Sequence, residues 1–299
     1  MTTITSSRLA SESTDFGPIL GELDVLQYSG TAFQRQCSSS SSLPLSQCKG
    51  EEGVGDDATG LRLHVGTHVL VRLFPQLSRF FPNRTVVEVG AGLGLSSICL
   101  NLLTAPILTL ITDGNEESLE IAQLNCSRLL KEKENTVIVK RLNWTSEEDL
   151  LQVMSVAPNG FDVVIGSDLM YFNINIAELL TVVTSLTKEK KNSFFLHAHK
   201  IRKYGQLQQL ADSFLNRFNW MTILLPIESF ISAEELSYHP EWHSVVCLCT
   251  GSIKAVEDLR AQLDEERRCR WMSMDDYLAA CRLEEEEAER CDILKTLLL

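Results

Sequence analysis

"VVEVGAGLGLSSICL", residues 86–100, runs from β-branched residues through glycines at 90, 92 and 94 into an apolar stretch with helical spacing. A strand that leads through a glycine turn into a helix presents backbone N–H groups at the helix N-terminus and suits a nucleotide-like ligand. Glycine permits positive φ and lets a ligand approach the backbone closely. The plain alternative is a tight turn that holds nothing.

Working outward, the same grammar repeats. TVVEVG (85–90), ILTLITD (107–113), TVIVKRL (136–142), FDVVIGSD (161–168), NSFFLHAH (192–199), MTILLPI (221–227) and SVVCLCTG (244–251) read as strands. Helical patterns separate most of them, with no long helix between the last two. THVLVRLFPQL (67–77) and EESLEIAQLNCSRLLKEK (116–133) are the clearest helices. Strands alternating with helices predict an α/β fold: a doubly wound, mostly parallel, seven-stranded Rossmann-like sheet covered on both faces.

The predicted units are three. Residues 1–59 form an extension in which 19–30 make an edge strand or hairpin and the Ser- and acid-rich stretch 36–59 is a linker. Residues 60–254 form the α/β domain, and 255–299 an acidic helical extension, read as one or two helices.

Charge follows the same division. The chain has 299 residues and a net charge of −13. Residues 1–59 carry 3 basic and 8 acidic side chains, residues 255–299 carry 7 and 13, and the part between is nearly neutral. With no basic stripe, nucleic acid is not an expected partner. No stretch reaches the ~18 apolar residues that span a bilayer, and MTTITSSRLASESTD lacks the apolar core of a secretion signal, so the expected setting is intracellular. Nine scattered cysteines without a CxxC pair fit reduced thiols and no structural zinc. His197 and His199 share a strand face but lack a third ligand at suitable spacing, so no metal is expected.

The turn itself narrows the ligand. A dinucleotide fingerprint would place its third glycine at position 95, which is Leu95. The pattern is ExGxGxG instead, counted from Glu88 and running through Gly90, Gly92 and Gly94. Asp113 ends the next strand, where a carboxylate can accept both hydroxyls of a ribose. The structural role open to Asp113 is a helix N-cap or turn in "TDGNEES".

On these residues the chain resembles the class I methyltransferases that bind S-adenosylmethionine, and within them the seven-strand family 16 protein-lysine methyltransferases. The likeness rests on "VVEVGAGLGLSSI" (86–98), "ITDGNEESLEIAQLNC" (111–126), "RLNW" (141–144), "FDVVIGSDLMYF" (161–172) and "HAHKIRKYGQLQQLADSF" (197–214). It implies S-adenosyl-L-methionine as cofactor, bound by Glu88, Gly90, Gly92, Gly94, Asp113, Asn143, Trp144 and Ser167. Asp168-Leu-Met-Tyr171 matches the family's DxxY motif. There the likeness implies that Asp168 holds the incoming lysine amine and Tyr171 walls its channel. The competing role for Asp168 is a cap on the helix after NINIAELL, with Tyr171 a core aromatic. Trp144 is equally open to a packing role.

One position departs from the family. His64 in "TGLRLHVGTH" stands where a tryptophan lines the cofactor pocket, and it joins the cofactor-binding candidates. The implied activity is transfer of a methyl group to a lysine of a protein substrate, by a monomer in the cytoplasm and nucleus. The alternatives are a methyltransferase for a small molecule or another side chain, and a binding module that kept the fold without catalysis.

Overall fold

The computed structural model describes residues 3–8, 24–29, 63–130, 136–170, 175–187, 192–202, 204–266, 270–277 and 279. The predicted linker 36–59, Tyr171 and residues 280–299 lie outside them. Strands β1 (Thr3–Arg8) and β2 (Asp24–Ser29) pair antiparallel, with Thr3 opposite Ser29.

The main sheet comprises β3 (Thr85–Glu88), β4 (Leu108–Asp113), β5 (Val137–Arg141), β6 (Val163–Ser167), β7 (Phe194–Lys200), β8 (Trp220–Leu225), β9 (Val245–Ser252) and β10 (Met272–Ser273). The helices are α1 (Val65–Leu73), α2 (Leu95–Leu103), α3 (Glu116–Leu129), α4 (Glu147–Met154), α5 (Ile176–Leu186), α6 (Tyr204–Phe218), α7 (Ala233–Tyr238) and α8 (Ile253–Glu266). Across the sheet the order is β5-β4-β3-β6-β7-β9-β8-β10. Pairs from β5 to β7 are parallel, and β7/β9, β9/β8 and β8/β10 are antiparallel.

The sheet has eight strands, one more than the seven expected. The addition is Met272–Ser273, which extends the β8 edge. Two residues are too few to show a period, so no pattern marks them.

Alternation along the strands feeds two apolar layers. Val86, Val163, Ile165, Leu196 and Cys247 pack beneath α1, α2 and α8, while Val87, Val164, Phe195 and Leu248 pack beneath α5 and α6. Helix α8 belongs to this packed unit, because Val256, Leu259 and Leu263 are buried in the first layer. The packing therefore continues past residue 254.

The chain builds outward from β3 through β4 to β5, then returns to lay β6 against the other side of β3. Connections leave both strands in opposite directions there, which opens a crevice at their carboxyl ends. Leu169, just past β6, fills its floor. A Cβ added at Gly166 would lie 2.5 Å from Leu169 Cδ1, and one at Gly90 would lie 2.7 Å from Leu169 Cδ2.

Gly166→Ala is therefore expected to destabilise the protein by ~1–3 kcal/mol through overpacking. Gly205, near the start of α6, has no atom within 4 Å of an added Cβ. Gly205→Ala should leave stability unchanged or raise it by up to ~1 kcal/mol. Urea denaturation of both variants checks the pair; a Gly166→Ala protein as stable as the parent would show that Leu169 moves aside freely.

Candidate active site

Apart from Tyr171, which lies outside the described residues, the predicted residues come to the crevice from five separate segments. After β3 the chain turns through Gly90 (φ 60°), Gly92 (φ 53°) and Gly94 (φ 76°), all left-handed. Each alternate glycine is thus required by backbone conformation. Gly94 is the N-cap of α2 and brings no side chain to it. Glu88 supplies the missing acceptor from the strand below: its Oε2 accepts from Ser97 N at 3.0 Å. A carboxylate under the first turn also favours the helix dipole. Glu88 is only 1% exposed, so it braces the loop from behind.

Asp113 holds the loop from the β4 side. Its Oδ2 accepts from Gly92 N at 2.8 Å and its Oδ1 from Asn115 N at 2.8 Å. A carboxylate can accept more bonds than these two. Burial pushes the Asp113 carboxyl above its ordinary range, opposed by the N–H groups of Asn115, Gly92 and Gly114. The helix cap in "TDGNEES" is Asn115, whose side chain accepts from Ser118 N at 2.9 Å.

Past β5, Asn143 makes its own turn. Its Oδ1 accepts from Thr145 N at 3.1 Å and Thr145 Oγ1 at 2.9 Å, while its N–H donates to Asp149 Oδ2 at 2.9 Å. Half-buried Trp144 brings its ring edge 3.8 Å from the Cβ position of Gly90. The indole therefore lies beside the glycine loop.

At the end of β6, Ser167 Oγ meets Thr67 Oγ1 at 2.8 Å. Asp168 has φ 51° and is 6% exposed. Its Oδ2 accepts from Gly66 N at 3.2 Å, and its Oδ1 accepts from Lys200 N at 2.8 Å. Arg202 Nη1 lies 3.5 Å from the same Oδ1. Helix α5 is capped by Asn175, which accepts from Ala177 N at 3.0 Å, so Asp168 is free of that duty. A left-handed non-glycine residue at a crevice edge is the kind of stored strain found at functional sites.

His64 is the N-cap of α1, and its carbonyl accepts from Thr67 N at 3.1 Å. It stands two residues before Gly66, whose N–H binds Asp168, so the departure from the family pattern falls at the same corner. Sequence reasoning missed Gly66, Thr67, Leu169 and Arg202. No spacing links residues 66 and 202 to 168; only the fold does.

His197 and His199 are fully buried on one face of β7, with ring centroids 5.5 Å apart. Burial lowers the His199 pKa to about 4 and that of His197 well below its ordinary value, so both are neutral. Among the described residues no three His, Cys, Asp or Glu side chains converge as metal ligands.

Glu88 makes a measurable consequence. Burial raises its pKa from 4.5 to about 7. The folded state therefore keeps a proton that the unfolded chain releases, and stability falls as pH rises from about 4.5 to about 7. Asp113 shifts in the same direction. Glu88→Gln keeps an oxygen for Ser97 N–H and should remove roughly 3 kcal/mol of that fall. Urea denaturation across this pH range, compared between the two proteins, gives the answer; equal slopes would mean that Glu88 ionises in the fold without penalty.

Similarity to known proteins bears on the family. The family model described as lysine methyltransferase matches residues 68–219. The mouse protein-lysine methyltransferase METTL21E is 32% identical over 151 residues, covering 50% of this chain and 57% of that one. The mouse protein N-lysine methyltransferase METTL21A is 32% identical over 119 residues, 40% of this chain and 50% of the other. The Arabidopsis thaliana calmodulin-lysine N-methyltransferase is 25% identical over 114 residues, 38% of this chain and 36% of the other. The chain spans about half the length, or less, of these relatives. Among solved structures, a ribosomal protein L11 methylase from Lactobacillus delbrueckii subsp. bulgaricus has a TM-score of 0.44 at 17% identity, covering 68% of this chain and 91% of that one. The matched segment contains the glycine loop, Asp113, the Asn143–Trp144 turn and Asp168, and over it this chain belongs to the lysine methyltransferase family.

Proposed function

We propose that this chain is an S-adenosylmethionine-dependent methyltransferase that modifies lysine side chains of a protein substrate. The observation that carries the reading is convergence: the family match covers the glycine loop, Asp113, Asn143–Trp144 and Asp168, and all of them lie at one crevice. The residues fit the cofactor. Three left-handed glycines let the loop turn sharply at the crevice, and Asp113 beside it can accept from ribose hydroxyls. Trp144 offers an indole face for an adenine beside Gly90, with Asn143 next to it. Ser167, His64 and Glu88 complete that side, the last by bracing the loop.

Bound there, the cofactor supplies a methyl group on a sulfonium centre. The chain's own residues bind and align. Asp168 marks the place where the acceptor lysine enters, the motif's Tyr171 being paired with it by the family resemblance alone, and alignment of two reactants supplies much of the rate. A buried carboxylate with an ordinary hydrogen-bond set suits orientation better than strong-base work. No helix among the described residues is long and apolar enough to cross a membrane. The reading places the protein in the cytoplasm and nucleus as a monomer.

Calorimetry with S-adenosylhomocysteine and with NAD tests the cofactor. The first should bind and the second should not, and the reverse result overturns the reading. Asp113→Ala should weaken S-adenosylhomocysteine binding by ~1–3 kcal/mol. For the acceptor, labelled methyl transfer into cell extract should yield methyl-lysine in protein. Asp168→Ala should abolish most of it while leaving cofactor affinity within a few fold. The same variant leaves the Gly66 and Lys200 N–H groups without their acceptor, costing ~1–3 kcal/mol of stability. A folded Asp168→Ala protein that transfers at the parental rate would move the acceptor site elsewhere.

A further inference from the structure

A carboxylate beside the acceptor poses a chemical conflict. Only the neutral amine of lysine has a lone pair to donate, yet a bare carboxylate favours the ammonium form. The surroundings of Asp168 resolve it. Among the described residues it has three partners, and two are backbone N–H groups, Gly66 N at 3.2 Å and Lys200 N at 2.8 Å, which are fixed by α1 and β7. The third is a side chain: Arg202 Nη1 lies 3.5 Å from Oδ1 and also donates to the Lys200 carbonyl at 3.3 Å. Arg202 is about one-third exposed, whereas Asp168 is buried. The guanidinium therefore closes the solvent side of the carboxylate.

We propose that Arg202 is a positioning residue of the acceptor site, whose guanidinium neutralises Asp168 so that the entering lysine is held as an amine and not as an ammonium ion. The inference rests on the lysine-methylation reading above and adds the group that sets the acceptor's charge. An incoming cation meets an ion pair with no net charge, and the proton leaves to solvent. The amine lone pair then forms the N–C bond, the methyl–sulfur bond breaks with its electron pair left on sulfur, and the nitrogen takes the positive charge.

Other titratable groups around the pair do not compete. His199, on β7, interacts with both Asp168 and Arg202 but is buried and neutral, with its pKa lowered to about 4. From α1 the carboxylate receives only a backbone N–H among the bonds described, and of that helix's first residues His68 stacks on Trp242. His64 stands at its N-cap.

The test is the pH profile of methyl transfer into protein lysine, for the full chain and its Arg202→Gln and Arg202→Lys variants, from neutral to alkaline pH. Losing the positive charge leaves Asp168 to stabilise the ammonium, so the acidic limb in Arg202→Gln should move up by about one pH unit. Arg202→Lys keeps the charge and should restore the parental limb. Cofactor affinity and thermal unfolding should stay close to parental in both. An unmoved limb in Arg202→Gln overturns the proposal, whether activity is kept or lost equally at every pH. So does a limb that moves equally in Arg202→Lys. Absence of methyl-lysine with the parental protein, despite cofactor binding, would instead sink the lysine reading itself.

Discussion

Backbone N–H groups at the carboxyl edge of a parallel sheet have left the strand ladder and still need acceptors. In this protein, buried acids provide them. Glu88 takes Ser97 N, Asp113 takes Gly92 N and Asn115 N, Asp149 takes Asn143 N, and Asp168 takes Gly66 N and Lys200 N. Each carboxylate fastens a turn to its neighbour, and together they fix the shape of the crevice. The cost is desolvation, visible in the raised pKa of Glu88 and Asp113.

That solution has an electrostatic result. Asp113 and Asp168 bring acceptors and no donors to that edge, so it suits groups that donate hydrogen bonds. It also explains why Arg202, the basic side chain paired with Asp168 among the described residues, matters to the chemistry: it alters a balance that the backbone bonds leave negative.

Much of this was legible along the chain, and the boundary is physical. Runs such as VVEVG and LTLITD announce strands because both faces of the sheet are buried and apolar residues crowd them. The glycine loop and Asp113 were readable because motif and strand end are local in sequence. The capping roles left open for Asp113 and Asp168 fall instead to Asn115 and Asn175. The partners of Asp168 were not readable, since Gly66 and Arg202 reach it through α1 and β7 from 102 and 34 positions away. Helix α8 read as an acidic extension because its exposed face is charged, while its buried stripe of Val256, Leu259 and Leu263 is short.

Leu169 lies against both Gly90 and Gly166, so what can stand at any one of these three positions depends on the other two. The two glycines are not equally bound by it. At Gly166 only space forbids a side chain, so a lineage that first shortened residue 169 could later accept alanine there. At Gly90 the left-handed backbone would remain an obstacle after any such change. The order in which substitutions become tolerable is thus set by one leucine, and Gly90 is the last of the three that could accept a side chain.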